Sequence, residues 1–289
     1  MISRRALLAA PGFLALGLPS TRAHAAQDLS RRLAELETRS GGRLGVAILN
    51  HRAGMMAAHR AGERFAMCST FKAIAAAAVL ARVDAGKEDL DRRISYGREK
   101  LITWSPVTEK HAGGRGMTLA DLCDAAVTMS DNTAGNLLLE SLGGPSGLTA
   151  FFRSLGDEVS RLDRWEPDLN DVPPGDPRDT TTPEAMLESL RRVVLGDVLT
   201  QASRQRLADW LIANKTGDKR LRAGFPGGWR VGDKTGTGSG VAGDIAVAWA
   251  PGGETLLISA YLEAPGLPAS VRDQIFREIG AIASKTVGT

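Results

Sequence analysis

The order of strand-like and helix-like segments along the chain constrains its fold more than any other feature. Residues 43–60 have the pattern of two strands joined by a turn at 50–54, and strand patterns return only after Gly224. Between them, residues 68–211 have the pattern of helices separated by loops. Strands from both ends of a chain can form one sheet when the block between them folds as an insertion. This order predicts a discontinuous α/β protein of two domains.

The domain boundaries follow from this order. Residues 26–61 and 213–289 are predicted to form an α/β domain, in which an antiparallel five-stranded sheet is flanked by terminal helices at 28–42 and 270–284. Residues 62–212 are predicted to form an inserted all-α domain. Because ligand sites favour the clefts between domains, we expect functional residues where the two units meet.

Residues 1–25 have the features of a cleavable signal peptide. A basic start is followed by a short apolar run and by the small-residue site Ala23-His24-Ala25. The apolar run is too short and too interrupted to span a bilayer, so no stable membrane association is expected. The protein is predicted to be periplasmic or secreted after cleavage near Ala25-Ala26, and the pair Arg4-Arg5 resembles a twin-arginine export signal.

Charge and histidine content exclude several functions. The chain has 36 basic and 33 acidic residues, and removal of Arg4, Arg5 and Arg22 with the signal leaves the two signs equal. A neutral mature chain gives no basic surface for nucleic acid, and we expect a monomer. The four histidines lack the spacing of metal ligands, so neither a metal site nor another cofactor is expected. The two cysteines, Cys68 and Cys123, are predicted to be separate buried thiols.

The segment around Ser69 combines a candidate nucleophile with a candidate base. Ser69 opens a predicted helix that ends at Gly86, and Lys72 lies three residues later on the same face. A serine hydroxyl needs a nearby base, and burial lowers the pKa of a lysine. Unpaired N–H groups at the helix start can stabilise an oxyanion. Taken alone, the pair is better explained as an N-cap serine followed by a solvated lysine, because the motif is short.

Two further short motifs are ambiguous when each is taken alone. Residues 130–132, Ser-Asp-Asn, lie between two predicted helices, where they could cap a helix or supply a proton shuttle and an amide. Residues 231–240 superficially resemble a phosphate loop, but Asp233 separates Gly232 from Lys234 and no helix follows. An NTPase is therefore excluded, and the lysine and threonines of this strand suit recognition of a carboxylate.

Residues 161–179 fit no regular element. A loop of this length in a compact domain is usually functional or disordered. We predict an Ω-loop whose base is held by an ion pair between Arg164 and Asp179. Three apolar residues are predicted to anchor it: Leu162, Trp165 and Leu169.

Taken together, the motifs Ser-x-x-Lys at 69, Ser-Asp-Asn at 130 and Lys-Thr-Gly at 234 resemble those of penicillin-recognising serine enzymes. Glu166 and Asn170 in the Ω-loop make the chain similar to class A serine β-lactamases across residues 28–285. The resemblance implies hydrolysis of penicillins and cephalosporins through a serine acyl-enzyme and antibiotic resistance. No cofactor is implied, and the partners are small β-lactam substrates.

The resemblance also implies catalytic roles. Ser69 becomes acylated, and its N–H forms the oxyanion hole with that of Thr237. Either Lys72 or Glu166, through a water, removes the Ser69 proton. Ser130 relays a proton to the lactam nitrogen. Two residues then direct the deacylating water: Glu166 and Asn170.

Substrate-binding roles are implied in the same way. Asn132 and the Thr237 carbonyl hold the substrate's side-chain amide, and Gly236 leaves the strand backbone accessible. The substrate carboxylate is met by Lys234, Thr235 and Thr237.

Three positions depart from the commonest class A pattern. Asp244 lies where a second arginine usually supports the carboxylate site, and Arg220 is the expected substitute. Trp104 replaces the usual gatekeeping tyrosine. Trp104, Arg220 and Thr237 together resemble enzymes that hydrolyse carbapenems. Those enzymes pair the cysteine before the nucleophile with another after the Lys-Thr-Gly-Thr segment, where this chain has only Gly238 and Ser239. Carbapenem turnover therefore stays open.

Two alternatives share parts of this motif set. A D-Ala-D-Ala carboxypeptidase or transpeptidase should lack the pair Glu166 and Asn170. A penicillin-sensing domain acylates once and would need a membrane anchor and a signalling partner.

Overall fold

The computed structural model describes residues 21–287. Residues 1–20 of the predicted signal peptide lie outside this range. The first helix begins before the predicted cleavage site and therefore starts earlier than the expected 28–42. The helices of the described residues are α1 (Thr21–Ser40), α2 (Phe71–Asp84), α3 (Leu119–Thr128), α4 (Asn132–Leu142), α5 (Pro145–Ser154), α6 (Pro183–Leu195), α7 (Gln201–Ile212) and α8 (Ala269–Ser284).

The strands come from both parts of the chain, as the sequence predicts. Five of them form an antiparallel sheet in the order β2-β1-β9-β8-β7. Two short pairs, β3 with β6 and β4 with β5, were not expected from the sequence. The strands are β1 (Arg43–Asn50), β2 (Gly54–His59), β3 (Phe65–Ala66), β4 (Arg93–Ile94), β5 (Met117–Thr118), β6 (Thr180–Thr181), β7 (Arg230–Thr237), β8 (Val241–Trp249) and β9 (Thr255–Glu263).

Both faces of the sheet are buried, so its central strands carry nearly continuous apolar runs. In β9, Leu257 and Tyr261 face the helical block, whereas Ile258 and Leu262 face the terminal helices α1 and α8. The alternation follows the two-residue period of a strand. The five-stranded sheet with its flanking terminal helices confirms the predicted fold class.

Local sequence signals account for several helix boundaries. Thr118 and Asp121 form a reciprocal capping box at the start of α3, and the Thr182 hydroxyl accepts a hydrogen bond from the Ala185 N–H before α6. Gly143 ends α4 with a φ of 91°, a conformation in which a side chain would be strained. These boundaries bring the end of α3 and the start of α4 close together at residues 129–131.

The segment before α2 differs from the expected helix start. Residues Cys68–Thr70 form a 3₁₀ turn, and α2 begins only at Phe71 and ends at Asp84. No side chain caps this junction, so the proposed N-cap role of Ser69 is wrong. The departure begins at Cys68, whose φ of 44° is unusual for a non-glycine residue and turns the chain sharply before Ser69.

The Ω-loop at 161–179 is irregular except for a 3₁₀ turn at Asp168–Asn170. Its base is held as predicted, because Arg164 Nε lies 2.6 Å from Asp179 Oδ2. Leu162 and Leu169 are buried, but Trp165 is 38% exposed and does not anchor the loop in the core. Trp165 instead contacts the turn between α4 and α5, where a Cβ at Gly144 would lie 3.5 Å from its ring.

Candidate active site

Ser69 lies where strand β7 passes against the 3₁₀ turn that precedes α2. A Cβ built on Gly236 would lie 2.9 Å from the Met67 carbonyl oxygen and 3.1 Å from the Ser69 nitrogen. A side chain at position 236 would therefore push strand and turn apart. Because Gly236 has no side chain, the Ser69 backbone lies next to the end of β7, which carries Thr237.

Lys72 is fully buried in contact with Ser69, on the first turn of α2. Its Nζ lies 3.0 Å from Ser69 Oγ, 2.9 Å from the Ser130 carbonyl oxygen and 2.6 Å from Asn132 Oδ1. The same nitrogen is 2.9 Å from Glu166 Oε1. This arrangement excludes the alternative of a solvated surface lysine.

The hydrogen-bond partners of Lys72 are oxygen atoms that can accept from its Nζ. The Ser130 carbonyl only accepts a hydrogen bond from Nζ, and the Glu166 carboxylate is its ion-pair partner. The Asn132 amide donates through Nδ2 to the Thr103 carbonyl at 2.8 Å, so its oxygen faces Lys72. Nζ thus donates to three oxygens, those of Ser69, Ser130 and Asn132, which matches the three N–H groups of an ammonium. In this arrangement Lys72 is a donor, and the Ser69 hydroxyl is free to donate elsewhere.

Glu166 accepts a hydrogen bond from the Ser69 hydroxyl, and its backbone is held by Asn136. Ser69 Oγ donates to Glu166 Oε1 at 3.2 Å. The Glu166 N–H donates to Asn136 Oδ1, and Asn136 Nδ2 donates back to the Glu166 carbonyl, each at 3.0 Å. Asn170 Nδ2 donates to Glu166 Oε2, while the buried Asn170 Oδ1 has no hydrogen-bond partner among the described residues. A polar acceptor thus remains beside the carboxylate.

Ser130 links the helical block to strand β7. It lies between α3 and α4 with a φ of 57°, and Lys234 Nζ donates to its Oγ at 2.9 Å and to the Thr235 carbonyl at 2.8 Å. Lys234 is fully buried, and this burial, together with the nearby Lys72 charge, lowers its pKa well below the usual lysine value. The ammonium therefore loses its proton more readily than an ordinary lysine does.

Arg220 reaches the same strand end from the loop after α7. Its NH1 donates to the Gly236 carbonyl and its NH2 to Thr237 Oγ1, at 2.9 and 2.8 Å. Asp273 on α8 fixes the guanidinium, since Arg220 Nε lies 2.9 Å from Asp273 Oδ1. Arg220 thus provides positive charge beside Thr237, as expected for a substitute carboxylate-binding arginine.

Asp244 lies behind this strand and outside the cleft. It is fully buried, and its Oδ2 accepts the Leu221 N–H at 3.0 Å. Burial and the neighbouring Asp233 raise the pKa of Asp244 well above the usual aspartate value. Its carboxyl group is therefore part of the support beneath Arg220 and does not face the substrate region.

Trp104 and Asn132 form the opposite wall. Trp104 is 60% exposed and has a φ of 65°. Its carbonyl accepts the Asn132 N–H at 2.9 Å, and its indole N–H donates to the Met129 carbonyl at 3.1 Å. The ring is thereby held at the rim with most of its surface available for a ligand.

These side chains enclose a cleft of about 410 Å³ between the sheet and the helical block. It brings together the candidate residues of all three motifs with the Ω-loop, while Lys72, Glu166 and Lys234 lie beneath its surface. The cleft is lined by Ser69, Trp104, Ser130, Asn132, Asn170, Thr216, Arg220, Thr235, Gly236 and Thr237.

The fold and this site define a class of serine hydrolase in which a lysine and a glutamate flank the nucleophile. Residues 28–287 match the family described as the Beta-lactamase enzyme family. The chain belongs to this family.

Similar proteins agree with this assignment. Beta-lactamase FAR-1 of Nocardia farcinica (strain IFM 10152) is 55% identical over 227 residues, which cover 78% of this chain and 72% of the relative. Beta-lactamase OXY-1 of Klebsiella oxytoca is 46% identical over 286 residues, with coverage of 98% and 97%. A solved structure of an ancestral (GNCA) class A β-lactamase has a TM-score of 0.87 and 63% identity, and covers 89% of this chain and 99% of its own. The chain is therefore a class A serine β-lactamase.

Several residues of the site were not found from the sequence. Asn136 holds the backbone of Glu166, Thr216 contacts Thr235, and Asp273 fixes Arg220. Asn136 is four residues after Asn132 on α4, so helical periodicity could have placed it on the same face. Thr216 and Asp273 contact their partners only through tertiary packing, and no local pattern marks them.

Residues 21–287 also bear on membranes, metals and thiols. No helix in this range is both long enough and apolar enough to cross a membrane. The same range contains no cluster of three or more histidine, cysteine, aspartate or glutamate side chains placed to hold a metal ion. Cys68 and Cys123 are both buried free thiols, which confirms the prediction of two separate buried thiols.

Proposed function

We propose that this protein hydrolyses the amide bond of penicillins and cephalosporins through an acyl-enzyme on Ser69, and that it thereby confers antibiotic resistance. The observation that carries the proposal is the contact of one hydroxyl with two buried charged groups. Ser69 Oγ lies 3.0 Å from Lys72 Nζ and 3.2 Å from Glu166 Oε1.

Acylation begins with loss of the Ser69 proton. The hydroxyl donates to Glu166, and the three hydrogens of Lys72 face acceptors, so we propose Glu166 as the proton acceptor in this arrangement. Lys72 then remains an ammonium that stabilises the alkoxide as Ser69 attacks the lactam carbonyl. The oxyanion is assigned to the N–H groups of Ser69 and Thr237, which the close packing at Gly236 brings into one region.

Opening of the lactam ring requires a proton on its nitrogen. Ser130 is assigned this transfer, because its hydroxyl lies at the cleft and Lys234 donates to it at 2.9 Å. Donation from an ammonium makes the Ser130 oxygen a better proton donor toward the leaving nitrogen. The C–N bond breaks as the nitrogen receives this proton, and the acyl ester remains on Ser69. The proton held by Glu166 is assigned to return through Lys72 to Ser130, which leaves Glu166 a carboxylate again.

Substrate orientation is assigned to polar groups on opposite walls. Lys234, Thr235, Thr237 and Arg220 form a cationic, hydroxyl-rich end that suits the carboxylate of these substrates. Asn132 is assigned to the side-chain amide together with the Thr237 carbonyl, and Gly236 keeps the strand accessible. Trp104 provides an aromatic face at the rim.

Deacylation distinguishes a hydrolase from a protein that stays acylated. Glu166 and the unpartnered Asn170 Oδ1 provide two acceptors for a water aimed at the ester carbonyl. Glu166 takes a proton from that water as the new C–O bond forms and gives it to the Ser69 oxygen as that oxygen leaves, which restores the free enzyme. General-base catalysis of this kind contributes typically ~10²–10⁴-fold.

The remaining proposals concern organisation and location. We assign residues 26–61 with 213–289 to one domain and residues 62–212 to the other, which agrees with the two hydrophobic clusters on opposite faces of the sheet. Cleavage of a signal peptide near Ala25, periplasmic or secreted location and a monomeric state without membrane association stay proposals. Twin-arginine export is one route to that location. Carbapenem turnover also stays a prediction, suggested by Trp104, Arg220 and Thr237.

A multiple-turnover assay tests the proposed function. Purified protein is mixed with a chromogenic cephalosporin such as nitrocefin, and product is counted per mole of enzyme. A hydrolase continues far beyond one equivalent and loses this activity with Ser69→Ala. A burst that stops at one equivalent would instead assign the chain to the alternatives that acylate and stall. A D-Ala-D-Ala peptide is the control substrate and should not be cleaved at a comparable rate.

A further inference from the structure

A chain of hydrogen bonds leads from the buried interior to the hydroxyl of Thr235. Asn214 Nδ2 donates to Asp233 Oδ2 at 3.0 Å, and Thr216 donates to Asn214 Oδ1 from its N–H at 3.0 Å and from its hydroxyl at 2.8 Å. Thr216 Oγ1 lies 2.5 Å from Thr235 Oγ1. The cleft therefore connects to Asp233 through two hydroxyls and one amide.

The orientation of the Asn214 amide is determined from two sides. The Thr216 backbone N–H can only donate, so the atom that faces it is the amide oxygen. The opposite end faces a carboxyl oxygen of Asp233, which suits the NH₂ group. Asn214 is buried at 1% exposure, and solvent does not compete for either end.

This orientation determines the direction of the hydroxyl pair. Because the Asn214 oxygen only accepts, the hydrogen of the Thr216 hydroxyl points to Asn214. A hydroxyl has one hydrogen, so Thr216 accepts from Thr235 across their 2.5 Å contact. In this arrangement, the Thr235 hydrogen thus points to Thr216 and not into the cleft.

We propose that Thr216 is a positioning residue that makes the Thr235 hydroxyl available to the carboxylate of an anionic substrate. When a carboxylate arrives, Thr235 turns its hydrogen to it, and Thr216 turns its own hydrogen from Asn214 to Thr235. Asn214 keeps the bond from the Thr216 N–H. Both hydroxyls remain bonded before and after binding, and no proton is transferred between heavy atoms.

The rearranged pair favours the bound state. Thr235 then accepts from Thr216 and donates to an anion, and each hydrogen bond polarises the next. Without the Thr216 hydroxyl, Thr235 donates to the carboxylate without this support. The inference rests on the proposed function, because it requires that the Thr235 side of the cleft receives the substrate's carboxylate.

The test compares Thr216→Val, which keeps the side-chain shape, with Thr216→Ser, which restores the hydroxyl. Substrates are benzylpenicillin and its neutral methyl ester. We expect Thr216→Val to raise KM for the acid about 3- to 10-fold, the equivalent of one hydrogen bond, with kcat within about twofold. KM for the ester stays unchanged, and Thr216→Ser restores the value for the acid. Thr128→Val, which removes a hydroxyl bonded only within α3, is the control.

A second measurement separates this inference from the proposed function. In a Ser69→Ala background, equilibrium binding of the acid and the ester is measured with and without Thr216→Val. If Thr216→Val removes the higher affinity for the acid relative to the ester, the positioning role of Thr216 is supported. If Thr216→Val leaves the affinity for the acid unchanged, or lowers the affinity for acid and ester equally, the inference is overturned. Hydrolysis by the wild-type enzyme would then still support the proposed function. Failure of wild-type enzyme to hydrolyse either substrate, with no binding to Ser69→Ala, overturns both.

Discussion

The Nζ of Lys72 lies 2.9 Å from Oε1 of Glu166, and both side chains are buried without exposure. A buried ion pair is costly to desolvate and is strongly destabilising when only one partner is removed. Here it also places opposite charges on either side of the Ser69 hydroxyl. The same ion pair therefore affects both the stability of the interior and the reactivity of Ser69.

Replacement of Glu166 should separate the two halves of the reaction. We expect Glu166→Ala to acylate more slowly with benzylpenicillin, because Lys72 is then the remaining base beside Ser69. It should then stall as the acyl-enzyme, because no general base faces the ester water. Turnover should fall ~10²–10⁴-fold, and intact-protein mass spectrometry should show an adduct of one intact penicillin. Glu158→Ala, at a largely exposed carboxylate, is the control and should leave no adduct. Normal turnover of Glu166→Ala without an adduct would remove Glu166 from the mechanism.

The base of the Ω-loop gives a stability prediction. Asp179 is fully buried and accepts the N–H groups of Asp163 and Arg164, at 2.7 and 2.9 Å, in addition to the Arg164 guanidinium. Asp179→Asn replaces an acceptor by a donor on one side and leaves Arg164 unpaired, so we expect the unfolding free energy to fall by about 2–4 kcal/mol.

Urea denaturation measures this loss, and deacylation should slow because the loop carries Glu166. Asp176→Asn breaks the exposed pair with Arg178 in the same loop and serves as a matched control that should change little. Equal stability of the two variants would show that the Asp179 contacts do not hold the loop.

Arg220 and Asp273 predict a graded effect on substrate binding. We expect Arg220→Ala to lower kcat/KM for benzylpenicillin about 10- to 100-fold, the range for a charge-assisted hydrogen bond. Asp273→Asn keeps an acceptor for Arg220 Nε and should have a smaller effect. Steady-state kinetics with Arg230→Ala as the control tests this, since that arginine stacks on Trp249 away from the cleft. A larger loss in Asp273→Asn than in Arg220→Ala would contradict the order.

The lowered pKa of Lys234 predicts an early alkaline limit. Its charge is present at low pH and is lost as the pH rises through a pKa below the ordinary lysine value, because burial and the Lys72 charge disfavour the ammonium. KM for an anionic penicillin should therefore rise at alkaline pH before ordinary lysines titrate. Lys234→Arg keeps its charge at all these pH values, so its pH–KM profile should lose this limb. If Lys234→Arg shows the same alkaline rise of KM, that rise belongs to the titration of another group.

The burial of the two thiols predicts slow reaction with thiol reagents, and the position of Cys68 predicts a disulfide with a cysteine placed at position 238. Burial, with a contribution from nearby Glu166, raises the pKa of Cys68 to about 12, so native protein should resist thiol reagents and denatured protein should react at two sites. A Cβ built on Gly238 lies 2.8 Å from Cys68 Sγ and 2.4 Å from the Asn170 carbonyl oxygen.

We therefore expect oxidised Gly238→Cys to form a disulfide with Cys68 and leave one free thiol after denaturation. Because the new side chain must displace Asn170, deacylation should be slower than in the wild type. Thiol titration with and without reductant checks the cross-link in the same variant. Three free thiols after oxidation would show that Cys68 and position 238 do not reach each other.

The sequence was most informative where function depends on local spacing. The separation of Ser69 and Lys72 predicts that the two side chains meet, and they do so although Ser69 lies in the 3₁₀ turn and Lys72 in the first turn of α2. Apolar alternation predicts the sheet strands. Glu166 has no such local signal, since its contact with Ser69 depends on how an irregular loop folds over the cleft. The resemblance to a known family supplied it, together with the order of the motifs.

Other features depend on contacts that no local pattern describes. The positive φ of Cys68, which moves the helix start to Phe71, follows from packing of the turn against β7. Thr216 and Asp273 acquire partners from distant elements. Trp165 was expected in the core from its hydrophobicity, but it lies at the surface beside Gly144.

The pairing of β1 with β9 has a consequence for the time course of folding. Arg43 and Glu263, at one end of this pairing, are 220 positions apart. Long-range strand pairing is slow because a large loop must close before its contacts contribute stability. Helices of residues 71–212 contain many local contacts and can form first, whereas β7 joins the sheet by pairing with β8, which in turn pairs with β9. Nearly the whole chain must therefore be present before the sheet is complete and Lys234 lies beside Ser130, and antibiotic resistance begins only after that delay.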